Sequence, residues 1–259
     1  YHFKNSKSVS EPAIKKMRDS LIHRGPDSAG FYISKDKKVG LGHRRLAIID
    51  LSPTGHQPMA NEDKTVWIVF NGEIYNFQEL RSDLEKVGHI FRSKSDTEVI
   101  IHAYEEYGFD CVKKFNGMFA FALWDEKKKI LFAARDHFGI KPFYYAFQNG
   151  TFYFGSEIKA ILANPDFKKE LEENNISHYL TFSSLPAPHT LFKDVKKLPA
   201  AHYLIIDKNG RIEEKEYWNP IAIAQNQKSK IKNQNELENY YIDEVKILLR
   251  DSIKSQMVS

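Results

Sequence analysis

Four polar clusters in the sequence carry side chains suited to chemistry: HRGPD at 23–27, GHRRLAIID at 42–50, NGEIYN at 71–76 and SDTE at 95–98. Each has a plain structural reading. HRGPD reads as a turn, Arg44 and Arg45 as a solvated edge, Asn71-Gly72 as a hairpin signal, and Asp96 as a group favoured by the N-terminal dipole of a helix. As a set they describe a ligand. A guanidinium, a carboxamide, a glycine amide and two carboxylates complement a free α-amino acid. Arg45 would take its carboxylate, Glu73 and Asp96 its ammonium group, and Asn71 with Gly72 a side-chain carbonyl that develops oxyanion charge.

These residues need elements to hold them. VWIVF at 66–70 is a buried strand that runs into Asn71-Gly72, where a hairpin turn is expected. GLGHRRLAIID at 40–50 alternates as a strand. FQELRSDLEKVG at 77–88 has helical spacing at Leu80, Leu84 and Val87 with Gly88 as its stop. SDTEVIIHAYEEYG at 95–108 opens with Ser95 and Glu98 in capping-box positions and closes at Gly108. Strand-like runs follow at 118–125, 130–136, 142–147, 151–156 and 201–207, and RIEEKEYW closes the domain. The first two are apolar at nearly every position, as in a sheet covered on both faces, so the fold class is α+β with a layered sandwich. QNQKSKIKNQ at 225–234 reads as a linker or exposed loop. Beyond it, 236–256 places Leu237, Tyr240, Tyr241, Val245, Leu248, Leu249 and Ile253 on one helix face, which opens a second domain.

Composition removes several classes. No apolar run among the 259 residues reaches the 18 or so of a membrane span, and YHFKNSKSVS lacks the apolar core of a signal peptide, so a cytoplasmic address is the default. The single cysteine, Cys111, excludes an internal disulfide and agrees with a reducing compartment. The 38 basic and 34 acidic residues are mixed along the chain, which argues against a nucleic-acid partner. His43, His56, His102 and His137 lack the H-x-x-x-H or H-E-x-x-H spacing of a metallohydrolase, so no metal is expected. Oligomeric state is not legible, and a homodimer stays open.

Glutamine is an amino acid with such a side-chain carbonyl. HRGPD, GHRRLAIIDLSPTGHQPM, FNGEIYN, SDTEVI, GMFAFALWD and RDHFGIKPFYY, in this order and extended by PAPHTLFKDVKKLPAAHYL, resemble the amino-terminal glutaminase domain of glutamine-dependent asparagine synthetases, a class II glutamine amidotransferase domain. The resemblance covers nearly all of 1–220. It implies an α+β, four-layer αββα sandwich of the N-terminal-nucleophile hydrolase type, with 221–259 as the linker and first helix of an ATP-dependent synthetase domain. It also implies that Arg45 binds glutamine's α-carboxylate, that a strand of Leu46, Ala47, Ile48 and Ile49 lines the pocket, that Asn71 and Gly72 form the oxyanion hole, and that Glu73 and Asp96 hold the ammonium group.

Enzymes of this family use a cysteine at the mature N-terminus, whose α-amine, of pKa about 7.7–8.0, takes the thiol proton. The resemblance places a Cys-Gly-Ile segment directly before Tyr1, where this sequence begins. Cys111, with no α-amine of its own, is no substitute, so the chain as written is expected to bind glutamine poorly and to hydrolyse none. Retention of the other site residues favours a leader that this sequence does not include over a non-catalytic relative. No cofactor is implied for the glutaminase domain; ATP and magnesium are implied for the synthetase domain, which converts aspartate to asparagine with ammonia passed inside the protein. The aspartate acceptor rests on the family alone, and related amidotransferases use others. A different class of reading is an interaction module that docks through the 236–256 helix. RDHFGIKP at 135–142 is assigned a structural role.

Overall fold

Val66–Ile74 and Gly117–Asp125 pair along nine consecutive positions, from Val66 opposite Asp125 to Ile74 opposite Gly117. This ladder is the spine of the computed structural model, which describes residues 1–3, 8–50, 52–228 and 234–257. In chain order the strands are β1 Ser28–Ile33, β2 Gly40–Arg45, β3 Met59–Ala60, β4 Val66–Ile74, β5 Gly117–Asp125, β6 Ile130–Arg135, β7 Tyr144–Gln148, β8 Thr151–Gly155, β9 Val195–Lys197, β10 His202–Ile206 and β11 Ile212–Glu216. The helices are α1 Glu11–Asp19, α2 Phe77–Lys86, α3 Asp96–Tyr107, α4 Ile158–Leu162, α5 Ile176–Phe182, α6 Pro220–Lys228 and α7 Gln234–Gln256.

One antiparallel sheet has six strands in the order β11-β10-β6-β5-β4-β3. A second layer is built from the β8-β7-β9 sheet and the β1-β2 hairpin. Alternation along β5 shows how the layers stack. Phe119, Phe121 and Leu123 face a core shared with Leu80 and Leu84 of α2 and Val99 to Ile101 of α3. Ala120, Ala122 and Trp124 face the second layer, against Leu41, Phe143, Tyr145 and Phe152. The outer face of β7 and β8, through Ala146 and Tyr153, packs on Ile161 of α4, with Met17 of α1 alongside. The result is the α+β, four-layer αββα sandwich expected from the sequence. Tyr1–Tyr217 forms this unit and Trp218–Ser259 a second, which holds α6 and α7.

Four local expectations are corrected. Asn71-Gly72 is not a hairpin turn: β4 continues through it, Asn71 opposite Ala120 and Gly72 opposite Phe119. The glycine serves close approach instead, since a Cβ on Gly72 would lie 2.1 Å from the Met118 carbonyl oxygen. The strand expected over 40–50 ends at Arg45, and Leu46 and Ile48 beyond it are exposed. Here the loop is held from outside the sheet, by Asp27 accepting from the Ala47 amide. The capping box of α3 is one-sided. Ser95 accepts from Thr97 N, but Glu98 reaches past the cap to accept from the Arg92 and Ser93 amides and the Ser93 hydroxyl. Finally, the segment read as a linker is helical through Lys228, because Asn219 Oδ1 accepts from the Ile221 and Ala222 amides and Pro220 fits the first turn. Its residues 229–233 lie outside the described residues, as do the side chains of Leu237 and Tyr240. Tyr241, Val245, Leu248, Leu249 and Ile253 of α7 are exposed.

Cys111 sits in a 3₁₀ turn at Gly108–Lys114, fully buried, with burial holding its thiol well above the usual range. It is an inert core group. The RDHFGIKP segment is a polar hub. Arg135 donates to the carbonyls of Lys141 (2.7 Å), Leu198 (2.6 Å) and Gly139 (2.5 Å), and Gly139 adopts φ 66°, which a side chain would strain. The fully buried Asp136 carboxylate accepts from four backbone amides, those of Phe119, Phe138, Ile140 and Lys141. Asp136→Ala leaves those donors without their anion and is expected to lower unfolding free energy by at least about 3 kcal/mol, read from denaturant titration.

Candidate active site

Between the six-stranded sheet and the second layer lies a cavity of about 380 Å³. Its floor is β4 from Val69 to Gly72 and β5 from Ala120 to Ala122; β2, β8 and the N-terminus of α3 close its sides. Period-two alternation explains what β4 presents. Ile68, Phe70 and Ile74 point into the helical core, so Val69, Asn71 and Glu73 share the opposite face, toward the cavity side of the sheet. Asn71 lines the cavity with a buried Nδ2 that has no hydrogen-bond partner among the described residues. A buried amide donor without an acceptor is costly, and it is what an incoming carbonyl oxygen would satisfy.

The sheet also fixes Asp96. Its Oδ2 accepts from Ile74 N at 3.0 Å, at the end of β4, and its carboxyl lines the cavity. Burial pushes its pKa up to about 6, the Glu73 charge adds to that, and bonds from the Ile74 and Thr97 amides and the Ser95 hydroxyl oppose it. A cationic group in the cavity would relieve the strain on this carboxylate. Gln57 ties the same parts together: its Oε1 accepts from Phe70 N at 2.7 Å and its Nε2 donates to Thr97 Oγ1 at 3.3 Å.

Arg45 stands at the end of β2, where its guanidinium donates to the carbonyls of Ser52 and Asp50. It pairs with no carboxylate among the described residues, so its charge is met by peptide dipoles and stays available to an anion. HRGPD braces this corner. Gly25 packs so closely on β2 that a Cβ there would lie 2.4 Å from the Arg44 carbonyl oxygen; Arg44 Nε donates to the Gly25 carbonyl, and Asp27 holds Ala47.

Of the residues proposed from sequence, Arg45, Leu46, Ile48, Ile49, Asn71, Gly72 and Asp96 all line the one cavity. The three apolar ones do so from a loop rather than a strand. Ala47 and Glu73 are not in its wall, although Glu73 is near enough to Asp96 to raise its pKa. Among the lining groups given no role from sequence, two hydrogen-bond to the Phe70 backbone of β4. One is Gln57, inside the quoted GHQPM motif. The other is His43, whose Nε2–H donates to the Phe70 carbonyl at 3.0 Å while its buried Nδ1 has no partner among the described residues. Burial, with the nearby positive charges of His56 and Arg45, holds His43 down at about 4, so it is a neutral imidazole at pH 7. Tyr1 also lines the cavity. It pairs with the free edge of β8, its nitrogen donating to the Phe152 carbonyl at 2.7 Å and its carbonyl accepting from Phe152 N at 2.8 Å.

A family model described as a glutamine amidotransferase domain matches residues 2–218. Asparagine synthetase (glutamine-hydrolyzing) 3 of Bacillus subtilis (strain 168) is 40% identical over 262 residues, 99% of this chain and 40% of that protein. A putative asparagine synthetase (glutamine-hydrolyzing) 2 of Methanocaldococcus jannaschii is 40% identical over 273 residues, 98% of this chain and 50% of that one. The chain thus spans half or less of these relatives' length. Among solved structures, the glutamine phosphoribosylpyrophosphate amidotransferase of B. subtilis superposes with a TM-score of 0.60 at 19% identity, covering 82% of this chain and 48% of that one, which shows the shared fold.

Two outcomes follow from the geometry. Nitrogen-detected NMR should find His43 as the neutral Nε2–H tautomer at pH 6, with a midpoint near about 4; its contribution to stability is lost as pH falls from the ordinary imidazole value toward 4, because the unfolded chain takes up the proton first. Gly72→Ala should destabilise by about 2–3 kcal/mol in denaturant titration, since the added methyl meets β5 backbone rather than a movable side chain.

Proposed function

This chain belongs to the glutamine amidotransferase domain family, and we propose that it is the glutaminase part of a longer asparagine synthetase. The observation that carries the reading is the meeting, in one cavity, of an Asn71 amide and an Arg45 guanidinium that have, among the described residues, no acceptor and no carboxylate partner respectively, with a buried Asp96 carboxyl. Those three groups match the side-chain carbonyl, the α-ammonium and the α-carboxylate of L-glutamine. Glu73 strengthens the field felt by the ammonium from outside the cavity wall.

The nucleophile in this reading is a cysteine in a segment preceding Tyr1. Tyr1 opposite Phe152, and His2 opposite Thr151, give the direction of antiparallel pairing. A chain extended before Tyr1 in that register runs along Tyr153 to Gly155, which line the cavity. The free α-amine of that cysteine takes the thiol proton. The thiolate sulfur then attacks the side-chain carbonyl carbon, and the oxyanion of the tetrahedral intermediate is held by Asn71 Nδ2–H and the Gly72 backbone amide. Collapse of this intermediate breaks the C–N bond; the nitrogen leaves as ammonia with the proton returned from the amine, and a thioester remains. Water attacks the thioester through a second oxyanion at the same donors and releases glutamate and the thiol.

Ammonia would then pass to a synthetase domain, of which Trp218–Ser259 is the opening part, and there attack an aspartate side-chain carboxyl activated as its adenylate, forming the amide and expelling AMP. ATP and magnesium belong to that domain. A cytoplasmic address suits such a protein. The acceptor site in this reading lies outside the glutaminase domain.

Millimolar L-glutamine should raise the melting temperature of the chain and D-glutamine should not. Asp96→Asn and Arg45→Ala should each weaken binding by about tenfold or more, through loss of a charge-assisted contact. Affinity of the parent should fall by up to about tenfold per pH unit below about 6, as Asp96 takes up its proton. A polypeptide with Cys-Gly-Ile placed before Tyr1 and a free amine should release glutamate, and its Cys→Ala counterpart should not. Absence of L-glutamine binding in both chains would overturn the reading.

A further inference from the structure

Away from the cavity, three side chains converge on one point. His102 and Glu105 lie three residues apart on one face of α3, and His89 comes from the loop after α2. One potential ligand atom from each lies within 4.8 Å of the others. His102 Nδ1 is 2.8 Å and His89 Nδ1 3.8 Å from the same oxygen, Glu105 Oε2. Donors around a tetrahedral zinc ion, at about 2.0–2.2 Å from it, stand about 3.3–3.6 Å apart, a spacing that the 2.8 and 3.8 Å separations bracket, with all three atoms within 4.8 Å of one another.

The surroundings are those that ligands of this kind require. The other oxygen of Glu105 accepts from Asn61 Nδ2 at 2.7 Å. His89 Nε2 lies 3.3 Å from a Glu106 oxygen. His102 is 1% exposed, and its Nε2 is buried with no hydrogen-bond partner among the described residues, although oxygens of Glu62 and Glu98 lie 3.6 and 3.8 Å away. A metal on Nδ1 puts the remaining proton on Nε2, facing those carboxylates. Each ligand would then have an outer partner fixing its orientation.

We infer that His89, His102 and Glu105 form a binding site for one divalent transition-metal ion of the zinc class, with water in the fourth position. Imidazole and carboxylate donors select such an ion over calcium or magnesium, which prefer all-oxygen sites. None of the three residues lines the cavity, so the role is structural. The ion would fasten α3, whose first residue is Asp96, to the loop carrying His89, with Asn61 and Glu62 behind it. This inference is independent of the glutamine reading.

The test uses the full chain, stripped with chelator and dialysed, with zinc ion as probe. The expected result is about one equivalent bound by elemental analysis, a rise in melting temperature of about 5 °C with excess zinc, and reversal by chelator. Cobalt(II) should give the visible absorption of a tetrahedral site. His89→Gln, in a loop and only partly buried, should lose the equivalent and the shift while keeping the fold, whereas His178→Gln, an exposed residue elsewhere, should keep both. No bound zinc and no shift in the parent chain would make the cluster an ion-pair network and overturn the inference. Unchanged binding in His89→Gln would overturn it as well, by placing the metal elsewhere.

Discussion

The close backbone contact between β4 and β5 at Gly72 is the constraint from which the site follows. With a Cβ at 72 excluded by the Met118 carbonyl, the two strands stay in register through Asn71, Gly72 and Glu73. Had the chain turned at Asn71-Gly72, the carboxamide would have faced solvent at a hairpin tip. Because the strand continues, Asn71 is held on a rigid sheet with its amide buried, and the end of β4 supplies the amide that captures Asp96. Position comes from the ladder and not from the site residues themselves.

Electrostatics completes what the ladder begins. The cavity gathers a carboxyl strained by burial, a guanidinium balanced only by peptide carbonyls, a neutral imidazole and an amide without an acceptor. Among the described residues these groups keep unmet bonding capacity or charge, whereas the buried polar groups of the nearby hub are fully bonded. Asp136 has four amide donors and Arg135 three carbonyls. The contrast separates a binding site from a structural network on physical grounds, since polar groups in low dielectric are stabilised only when their partners are present.

Much of the fold was legible because its signals were local. The two-face apolar runs of β5 and β6 and the helical spacing of Leu80 and Leu84 translate directly into the layers observed. The site residues were legible as chemical types, and Arg45, Asn71 and Asp96 do meet. What escaped the sequence were choices made by distant partners. Asn71-Gly72 has the local signal of a turn, but β5, more than 40 residues on, pairs with it and wins. Leu46 to Ile49 continue an apolar, β-favouring run, yet Asp27 holds Ala47 away from the sheet. Glu98 has capping-box spacing but is drawn to the 92–93 amides. The short strands β1 and β9 had too few residues to be read. The convergence of His89 with His102 and Glu105 escaped because it joins a loop to a helix.

The most direct measurement is a crystal structure of this chain with L-glutamine bound. The account predicts the side-chain carbonyl oxygen about 2.7–3.1 Å from Asn71 Nδ2, the ammonium group on Asp96 and the α-carboxylate on Arg45. Glutamine bound outside this cavity, or bound within it with its carbonyl turned from Asn71, would contradict the account.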